Sequence, residues 1–198
     1  MRIVAGKLKG SILHIPKDKN TRPLKDMVRE SIFNFLAHSN KISFQIEQAN
    51  VLDLYSGTGS FGLECISRGA IKVIFAEKEK DAVKILEKNI QKLKVEEKTK
   101  IFSDDVFSLI KKNNEIPFSF SPDMKLDLIF CDPPFKDTSI NDLIKLIIAK
   151  NLLKKNGIII LHRHKNAKEK LTDNFKIIDK RIYGLSKIIF GKSSPSLS

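Results

Sequence analysis

The segment Asp53-Leu54-Tyr55-Ser56-Gly57-Thr58-Gly59-Ser60-Phe61-Gly62 decides the fold. It continues a strand predicted over 51–55 and enters a helix over about 60–68 through a glycine-containing turn. From here strand and helix patterns alternate along the chain. The predicted strands lie near 72–77, 100–102, 126–131 and 158–162, the helices near 79–93, 105–112 and 138–154, and further β-prone runs at 175–182 and 187–190. This alternation predicts an α/β fold with a mostly parallel sheet, helices on both faces, and ligands beyond the carboxyl ends of its strands.

Length and composition indicate one ordinary globular domain. The chain has 198 residues, of which 41% are hydrophobic, enough to build a core without disulfides or a structural metal. We expect one domain over 1–190, followed by a disordered polar tail over 191–198. No run of about 18 apolar residues predicts a membrane span, and the start has no apolar segment typical of a signal peptide. Two widely separated cysteines predict neither a disulfide nor a zinc site, so we expect a cytoplasmic protein.

The net charge of +13 favours a polyanionic partner, nucleic acid above all. A lysine-rich composition alone is the alternative, because only six of the 36 basic residues are arginine. The distribution favours binding, since residues 1–40 hold eight basic side chains and three acidic ones. In this segment, runs at 2–5 and 11–15 around glycine predict a hairpin, which precedes a helix that begins after Pro23.

The N-terminal helix predicts a surface that faces RNA. Arg22, Lys25 and Arg29 are spaced to line one helix face, opposite an apolar stripe that includes Met27, and phosphate contacts are the favoured interpretation. An ordinary solvated face is the alternative. Asn34, which lies between two phenylalanines, is a candidate for lining a base pocket, with a helix-surface position almost as well supported.

The glycine turn predicts a nucleotide-like cofactor. Gly57, Gly59 and Gly62 satisfy G-x-G-x-x-G, which by itself permits NAD or FAD. Asp53 at the strand end would repel a pyrophosphate but can accept a hydrogen bond from the ammonium of an amino-acid moiety, which favours S-adenosylmethionine. The alternative is a glycine turn with a capping aspartate.

Two further acids follow neighbouring strands. Glu77 stands 20 residues beyond Gly57, where a ribose-binding carboxylate is expected, although it also belongs to a run of charged residues. Asp105 is placed to bind the adenine amine, and helix N-capping is an equally supported interpretation.

The motif Asp132-Pro133-Pro134-Phe135 after the fourth strand carries the strongest chemical signal. Two prolines fix an extended turn and remove two N–H donors, which leaves nearby carbonyls free to accept. A carboxylate, a carbonyl and an aromatic face form a socket for a planar amine, whose developing positive charge two acceptors would stabilise during attack on a methyl donor. Phe135 would stack on the base. A rigid turn with a core phenylalanine is the alternative.

Other reactive residue types receive weaker interpretations. Cys131 adjoins the motif, but its position at the end of an apolar strand favours a buried structural cysteine over a nucleophile. His162 and His164 share a strand face without a third ligand, so we predict no metal site. Phe118 and Phe120 lie in a predicted loop over 113–125, where a packed surface loop is favoured over a mobile lid.

The residues 53–59 and the motif 132–135 resemble motifs I and IV of class I S-adenosylmethionine-dependent amino methyltransferases. The segments 1–10, 21–23 and 28–34 resemble the N-terminal signature of the RsmD-like bacterial 16S ribosomal RNA guanine-N2 methyltransferase family. The resemblance covers essentially residues 1–190 and implies a seven-stranded Rossmann-like sheet with an N-terminal β-hairpin and helix extension over 1–40. It implies cofactor contacts for Asp53, Tyr55, Gly57, Gly59, Glu77 and Asp105, and target-base contacts for Asp132, Pro133 and Phe135.

We therefore expect a monomeric enzyme that methylates the exocyclic N2 of a guanine in small-subunit ribosomal RNA. The nearest alternative is an amino methyltransferase that acts on DNA or on a protein glutamine. A non-catalytic RNA-binding or ribosome-assembly protein and a dinucleotide oxidoreductase are alternatives of other classes.

Overall fold

The computed structural model describes residues 1–16, 24–111 and 125–194. The predicted loop with Phe118 and Phe120 and the predicted RNA contact Arg22 lie outside these residues. The helices are α1 (Asp26–His38), α2 (Ser60–Ser67), α3 (Lys80–Leu93), α4 (Val106–Lys111) and α5 (Ile140–Ala149), with one 3₁₀ turn over Glu96–Lys98. The strands are β1 (Asn50–Leu54), β2 (Lys72–Ala76), β3 (Thr99–Phe102), β4 (Leu126–Cys131), β5 (Leu153–His164), β6 (Phe175–Tyr183) and β7 (Ser186–Ser193).

Seven strands form one sheet in the order β3-β2-β1-β4-β5-β7-β6. The first five are parallel, and β7 pairs antiparallel with both β5 and β6. The strand order reverses direction between β1 and β4, which is the topological switch point where open α/β sheets bind ligands. The predicted Rossmann-like α/β fold is confirmed.

The central strands are buried on both faces, as a parallel sheet between two helical layers requires. Side chains alternate between two cores: Val51 of β1 belongs to one apolar cluster, while Leu52 and Leu54 belong to the other. Within the described ranges, no helix combines the length and apolar character needed to cross a membrane.

The N-terminal segment forms a small hairpin that is fixed to helix α2. An antiparallel bridge joins Arg2 to Ile12, and the Ile3 N–H donates to the Ser11 carbonyl at 2.9 Å. The Glu64 carboxylate of α2 accepts from the backbone N–H groups of Val4 and Ala5 at 2.8 and 2.9 Å. The hairpin is therefore part of the folded domain.

Helix α1 corrects two expectations about its faces. Met27 is 61% exposed, so it does not belong to the apolar stripe. Arg29 is completely buried and faces Glu64, with its Nε 3.5 Å from Oε2. Its Nη2 also donates to the Arg2 carbonyl and to Asp26 Oδ1, at 2.5 and 2.9 Å. Arg29 thus joins the hairpin, α1 and α2 and cannot contact RNA from this position.

The second half of the chain corrects two boundaries. Helix α5 ends at Ala149, not near residue 154, because Asn151 adopts a positive φ of 49° and β5 begins at Leu153. The predicted tail over 191–198 begins too early, since Gly191 to Ser193 form the end of β7 and pair with β6. Glycine is uncommon in strands, but a Cβ at Gly191 would lie 2.2 Å from the Phe175 ring, so close packing requires glycine there.

Candidate active site

A cavity of about 480 Å³ opens at the carboxyl edge of the sheet, at the switch point between β1 and β4. It is lined by the loops that follow β1, β2, β3 and β4, by the end of β5, and by Pro16 and Leu24 of the N-terminal extension. The lining includes Asp53, Tyr55, Gly57, Glu77, Asp105, Asp132, Pro133 and Phe135. These eight positions were predicted from the sequence as site residues, and the fold brings all of them to one concave surface.

The turn after β1 runs through three residues in left-handed backbone conformation: Tyr55, Gly57 and Gly59, at φ 59°, 54° and 82°. A Cβ at Gly57 would meet no atom within 4 Å, so its backbone borders open space that a ligand can approach. Gly59 has a different reason to be glycine, because a Cβ there would lie 2.3 Å from Leu86 Cδ1. Of the two, only Gly57 is suited to direct contact with a ligand.

Asp53 lies next to the last residue of β1, lines the cavity and is 1% exposed. Its Oδ2 accepts from the Gly62 N–H of α2 at 2.9 Å, which fixes the carboxylate against the helix that follows the turn. Burial raises the pKa of the Asp53 carboxyl well above its usual range; the Gly62 hydrogen bond opposes this rise, and the charges of Asp132 and Glu77 add to it. A cationic ligand group would stabilise the ionised form.

Glu77 follows β2 and joins two loops of the site. Its Oε2 accepts from the Gly57 N–H at 2.8 Å, and its Oε1 accepts from the Glu79 N–H at 2.9 Å. The carboxylate is 9% exposed and retains acceptor capacity, because each oxygen has two lone pairs. Glu77 therefore holds the glycine turn in place while it lines the cavity.

Asp105 caps helix α4 and also lines the cavity. Its Oδ1 accepts from the N–H groups of Phe107 and Ser108 at 3.0 and 3.2 Å, which makes it the N-cap of α4. The same residue lines the cavity next to Asp104 and Val106. Capping fixes the orientation of the carboxylate and leaves its second oxygen for a ligand.

The Asp132–Phe135 motif leaves β4 on the other side of the cavity. The Asp132 N–H donates to the Leu54 carbonyl at 3.2 Å, which joins the motif to the end of β1. The Pro134 carbonyl accepts from Asp137 N–H at 2.8 Å and from Arg163 Nη1 at 3.4 Å, so it is already occupied. The Pro133 carbonyl is the better candidate to accept from a substrate amine beside Asp132.

The cavity is strongly acidic although the protein is basic. Six carboxylates line it, while Lys78 and His162 are the basic residue types in the lining. In the part of the chain that the structure describes, no group of three His, Cys, Asp or Glu is arranged to hold a metal ion. A lining of this kind selects a cationic ligand and disfavours a pyrophosphate.

Comparison with known proteins identifies the family. A family model described as conserved hypothetical protein 95 matches residues 1–192. Ribosomal RNA small subunit methyltransferase D of Buchnera aphidicola subsp. Baizongia pistaciae is 31% identical, over 87% of this chain and 80% of the relative. The protein of the same name in Haemophilus influenzae is 30% identical, over 93% and 90%. The chain belongs to the ribosomal RNA small subunit methyltransferase D family.

The fold also matches a solved structure, that of yhhF from Escherichia coli, with a TM-score of 0.80 over 99% of both chains and 23% identity. The family and fold that the sequence motifs predicted are thus confirmed. The resemblance was carried by the N-terminal signature together with the two methyltransferase motifs, and the matched range of residues 1–192 includes all of them.

Within the described residues, the predicted RNA contacts Lys25, Arg29 and Asn34 do not form one surface. Lys25 is exposed at the N-cap of α1, which is compatible with a phosphate contact. Asn34 is exposed on the same helix and does not line the cavity, so it does not fill the predicted base-pocket position. Arg29 is buried, as described above. The RNA-facing surface of the extension remains a prediction that rests on Lys25 and on Arg22, which lies outside the described residues.

Sequence reasoning missed His162 and Arg163. His162 Nδ1 lies 2.8 Å from Asp132 Oδ1. Arg163 Nε donates to Glu169 at 2.9 Å, and its Nη2 donates to the Asp137 carbonyl. Both residues fix the motif loop from the end of β5. The available signal was their position at the end of the strand predicted over 158–162.

Cys131 has the surroundings of a structural cysteine and not those of a nucleophile. It is completely buried at the end of β4, and burial raises the pKa of its thiol, with the charges of Asp53 and Asp132 adding to the effect. A thiol with a raised pKa supplies little thiolate at neutral pH. The structural interpretation of this cysteine is therefore the one that its surroundings support.

Proposed function

We propose that this protein transfers a methyl group from S-adenosylmethionine to the exocyclic N2 of a guanine in small-subunit ribosomal RNA. The observation that carries the proposal is one cavity that joins the acids after β1, β2 and β3 to the Asp132–Phe135 motif after β4. The names of the two relatives support a ribosomal RNA substrate of the small subunit. The choice of guanine N2 rests on the family resemblance of the N-terminal signature.

The residues of the β1–β3 side fit S-adenosylmethionine. Asp53 is a buried acceptor for the ammonium of the methionine moiety, Glu77 for the ribose hydroxyls, and Asp105 for the adenine amine. Gly57 leaves the backbone open to close approach. When bound, S-adenosylmethionine supplies an electrophilic methyl group on a sulfonium. The acidic lining favours that positive charge, and it disfavours the dinucleotide that G-x-G-x-x-G alone permits.

The β4 side fits a flipped base. Asp132 and the Pro133 carbonyl are acceptors for the two hydrogens of an exocyclic amine, and they stabilise positive charge as it develops on the nitrogen. Phe135 is a stacking surface for the base, worth about 1–3 kcal/mol, which partly offsets the few kcal/mol needed to unstack the nucleotide. The residues perform orientation and charge stabilisation, and no strongly shifted general base is required.

The decisive experiment uses purified protein, isotopically labelled cofactor and small ribosomal subunits that lack the modification. We expect label in one guanine, identified as N2-methylguanine by nucleoside digestion and mass analysis. Label in DNA or in a protein glutamine would support the nearest alternative. Failure to label any small-subunit particle, with the protein folded and bound to S-adenosylhomocysteine, would support a non-catalytic assembly role.

Asp132→Ala separates the two halves of the site. We expect methyl transfer to fall at least a hundredfold, the scale for loss of a group that stabilises transition-state charge. Affinity for S-adenosylhomocysteine in calorimetric titration should stay within about threefold of the wild type. Glu77→Ala is the matched variant, and it should weaken cofactor binding instead. Near-normal turnover by Asp132→Ala would show that the amine socket is wrongly placed.

A further inference from the structure

His162 is held on both sides in the candidate active site. It is 6% exposed, its Nδ1 lies 2.8 Å from Asp132 Oδ1, and its Nε2 lies 2.8 Å from Ser186 Oγ. Strand pairing produces this contact. Leu161 of β5 is in register with Cys131 of β4, so the residues that follow each of them, His162 and Asp132, come to lie side by side.

The chemistry of the partners fixes the imidazole tautomer. An ionised carboxylate only accepts hydrogen bonds, so Nδ1 must carry the hydrogen and donate to Asp132. In the neutral ring Nε2 is then an acceptor, and the Ser186 hydroxyl is its donor. The neutral ring therefore has one consistent set of donors and acceptors in the chain Ser186–His162–Asp132. In a protonated ring Nε2 would donate to the Ser186 hydroxyl instead, and Nδ1 donates to Asp132 in both forms.

This arrangement occupies one oxygen of Asp132 and leaves the other for a substrate amine. It also fixes the orientation of the Asp132 carboxylate, whose side chain is 21% exposed. The His162 ring supports the stacking surface as well, because its centroid lies 5.5 Å from that of Phe135 in an edge-to-face arrangement of 82°. One side chain thus contacts both elements of the proposed base socket.

We propose that His162 is a positioning residue for methyl transfer, which orients the Asp132 carboxylate toward the exocyclic amine and supports Phe135. The kinetic consequences of this inference rest on the proposed function. The His162 tautomer that the inference requires does not depend on that function. His162 acts through Asp132 and Phe135 and needs no contact with the reacting atoms.

Three substitutions at the same position separate orientation from packing. In His162→Asn the amide nitrogen is two bonds beyond Cβ, as Nδ1 is, and preserves a donor to Asp132. In His162→Gln the amide is three bonds beyond Cβ, which matches Nε2 and the Ser186 side. His162→Leu preserves apolar volume and removes both hydrogen bonds. Ser186→Ala removes only the hydroxyl that lies beside Nε2 of the ring.

We expect His162→Leu to lower kcat with small subunits about tenfold to a hundredfold, by analogy with the loss of a hydrogen-bond partner that orients a metal ligand. His162→Asn should recover most of this loss, and His162→Gln should recover less. Ser186→Ala should lower kcat only a few-fold. KM for the small subunit and affinity for S-adenosylhomocysteine should change less than threefold, and thermal unfolding should show every variant folded at the assay temperature.

Equal kcat for His162→Leu and the wild type would overturn the proposal, as would a His162→Asn variant no better than His162→Leu. A loss of cofactor affinity as large as the loss of kcat would show a structural role only. Nitrogen-15 NMR of histidine-labelled protein gives a readout without RNA. We expect a His162 signal protonated at Nδ1 in the wild type, lost in Asp132→Ala.

The two proposals fail in different ways. If the wild type does not methylate small subunits but shows the Nδ1–H tautomer that depends on Asp132, the proposed function is wrong and the pairing on which the positioning role depends is correct. If methylation is observed and the ring is protonated at Nε2 instead, the positioning role is wrong and the proposed function stands.

Discussion

Among the individual residues of this site, Asp53 shows most clearly how a buried group can lower the stability of the folded protein and favour binding of a cationic ligand. Its carboxylate is buried beside Asp132 and Glu77, which raises its pKa chiefly through loss of hydration. A raised carboxyl pKa means that the folded state binds the proton more tightly than the unfolded chain does. Between the two pKa values, stability therefore falls as pH rises, and ionising the carboxyl in the folded state costs free energy that a cationic ligand can restore.

Asp53→Asn tests whether the buried charge lowers stability and raises affinity for the cofactor. Asparagine can keep the hydrogen bond from the Gly62 N–H but removes the buried charge. We expect a higher melting temperature at pH 7–8, a smaller decrease of stability as pH rises above about 4, and an affinity for S-adenosylmethionine at least tenfold lower, because a charge-assisted hydrogen bond contributes about 1.5–3 kcal/mol. Thermal scans across pH and calorimetric titration measure these effects. A variant that is less stable at pH 8 would contradict the assignment of burial as the dominant cause.

At the scale of single elements, helix α1 shows why helical spacing alone wrongly predicted that Arg29 contacts RNA. Lys25 and Arg29 are four residues apart, which places them on neighbouring parts of a helix surface, but Lys25 is exposed and Arg29 is completely buried. The difference arises because Glu64 of α2 is itself buried and lies opposite Arg29. No local pattern in α1 encodes that contact, since Glu64 follows 35 residues later.

Lys25→Met and Arg29→Met form a matched pair on one helix. We expect Arg29→Met to lower the free energy of unfolding by about 2–3 kcal/mol, because Glu64 loses a cation and the Arg2 carbonyl loses its donor. For a chain of this length that is a decrease in melting temperature of about 5–10 °C. Lys25→Met should leave the melting temperature within about 1 °C and raise KM for small subunits. An unchanged stability of Arg29→Met would contradict its structural role.

The distinction between local patterns and contacts with distant elements also explains which parts of the site the sequence could predict. Asp53, Glu77 and Asp132 were predicted together because the carboxyl ends of parallel strands converge, a property of the fold class. His162 depends instead on the exact register between β4 and β5 and on the antiparallel approach of β7, which brings Ser186 to the ring. Register of this kind is set by tertiary packing, so a local strand pattern predicts the element without its partners.

For the molecule as a whole, charge is divided between two surfaces with different tasks. The chain carries +13, yet the cavity has six acidic residues in its lining. Under the proposed function, lysines on the outside would attract the phosphate backbone over long range, while the acids inside would favour a cationic cofactor and repel phosphate. The separation would then allow the nucleic acid to be held by its backbone at the surface while a single base enters the cavity.

This division predicts that the two ligands respond differently to salt. Binding of small subunits or of a ribosomal RNA fragment should weaken about tenfold or more between 50 and 200 mM KCl. Each phosphate contact contributes a slope of roughly −0.7 to −0.9 in log affinity against log salt concentration, and we expect three or more such contacts. Affinity for S-adenosylhomocysteine, a zwitterion in a concave site, should change less than twofold. Filter binding and calorimetry over the same salt series measure both. An RNA affinity that is independent of salt would show that the positive charge reflects composition alone, and a parallel loss of both affinities would show that salt acts on the fold.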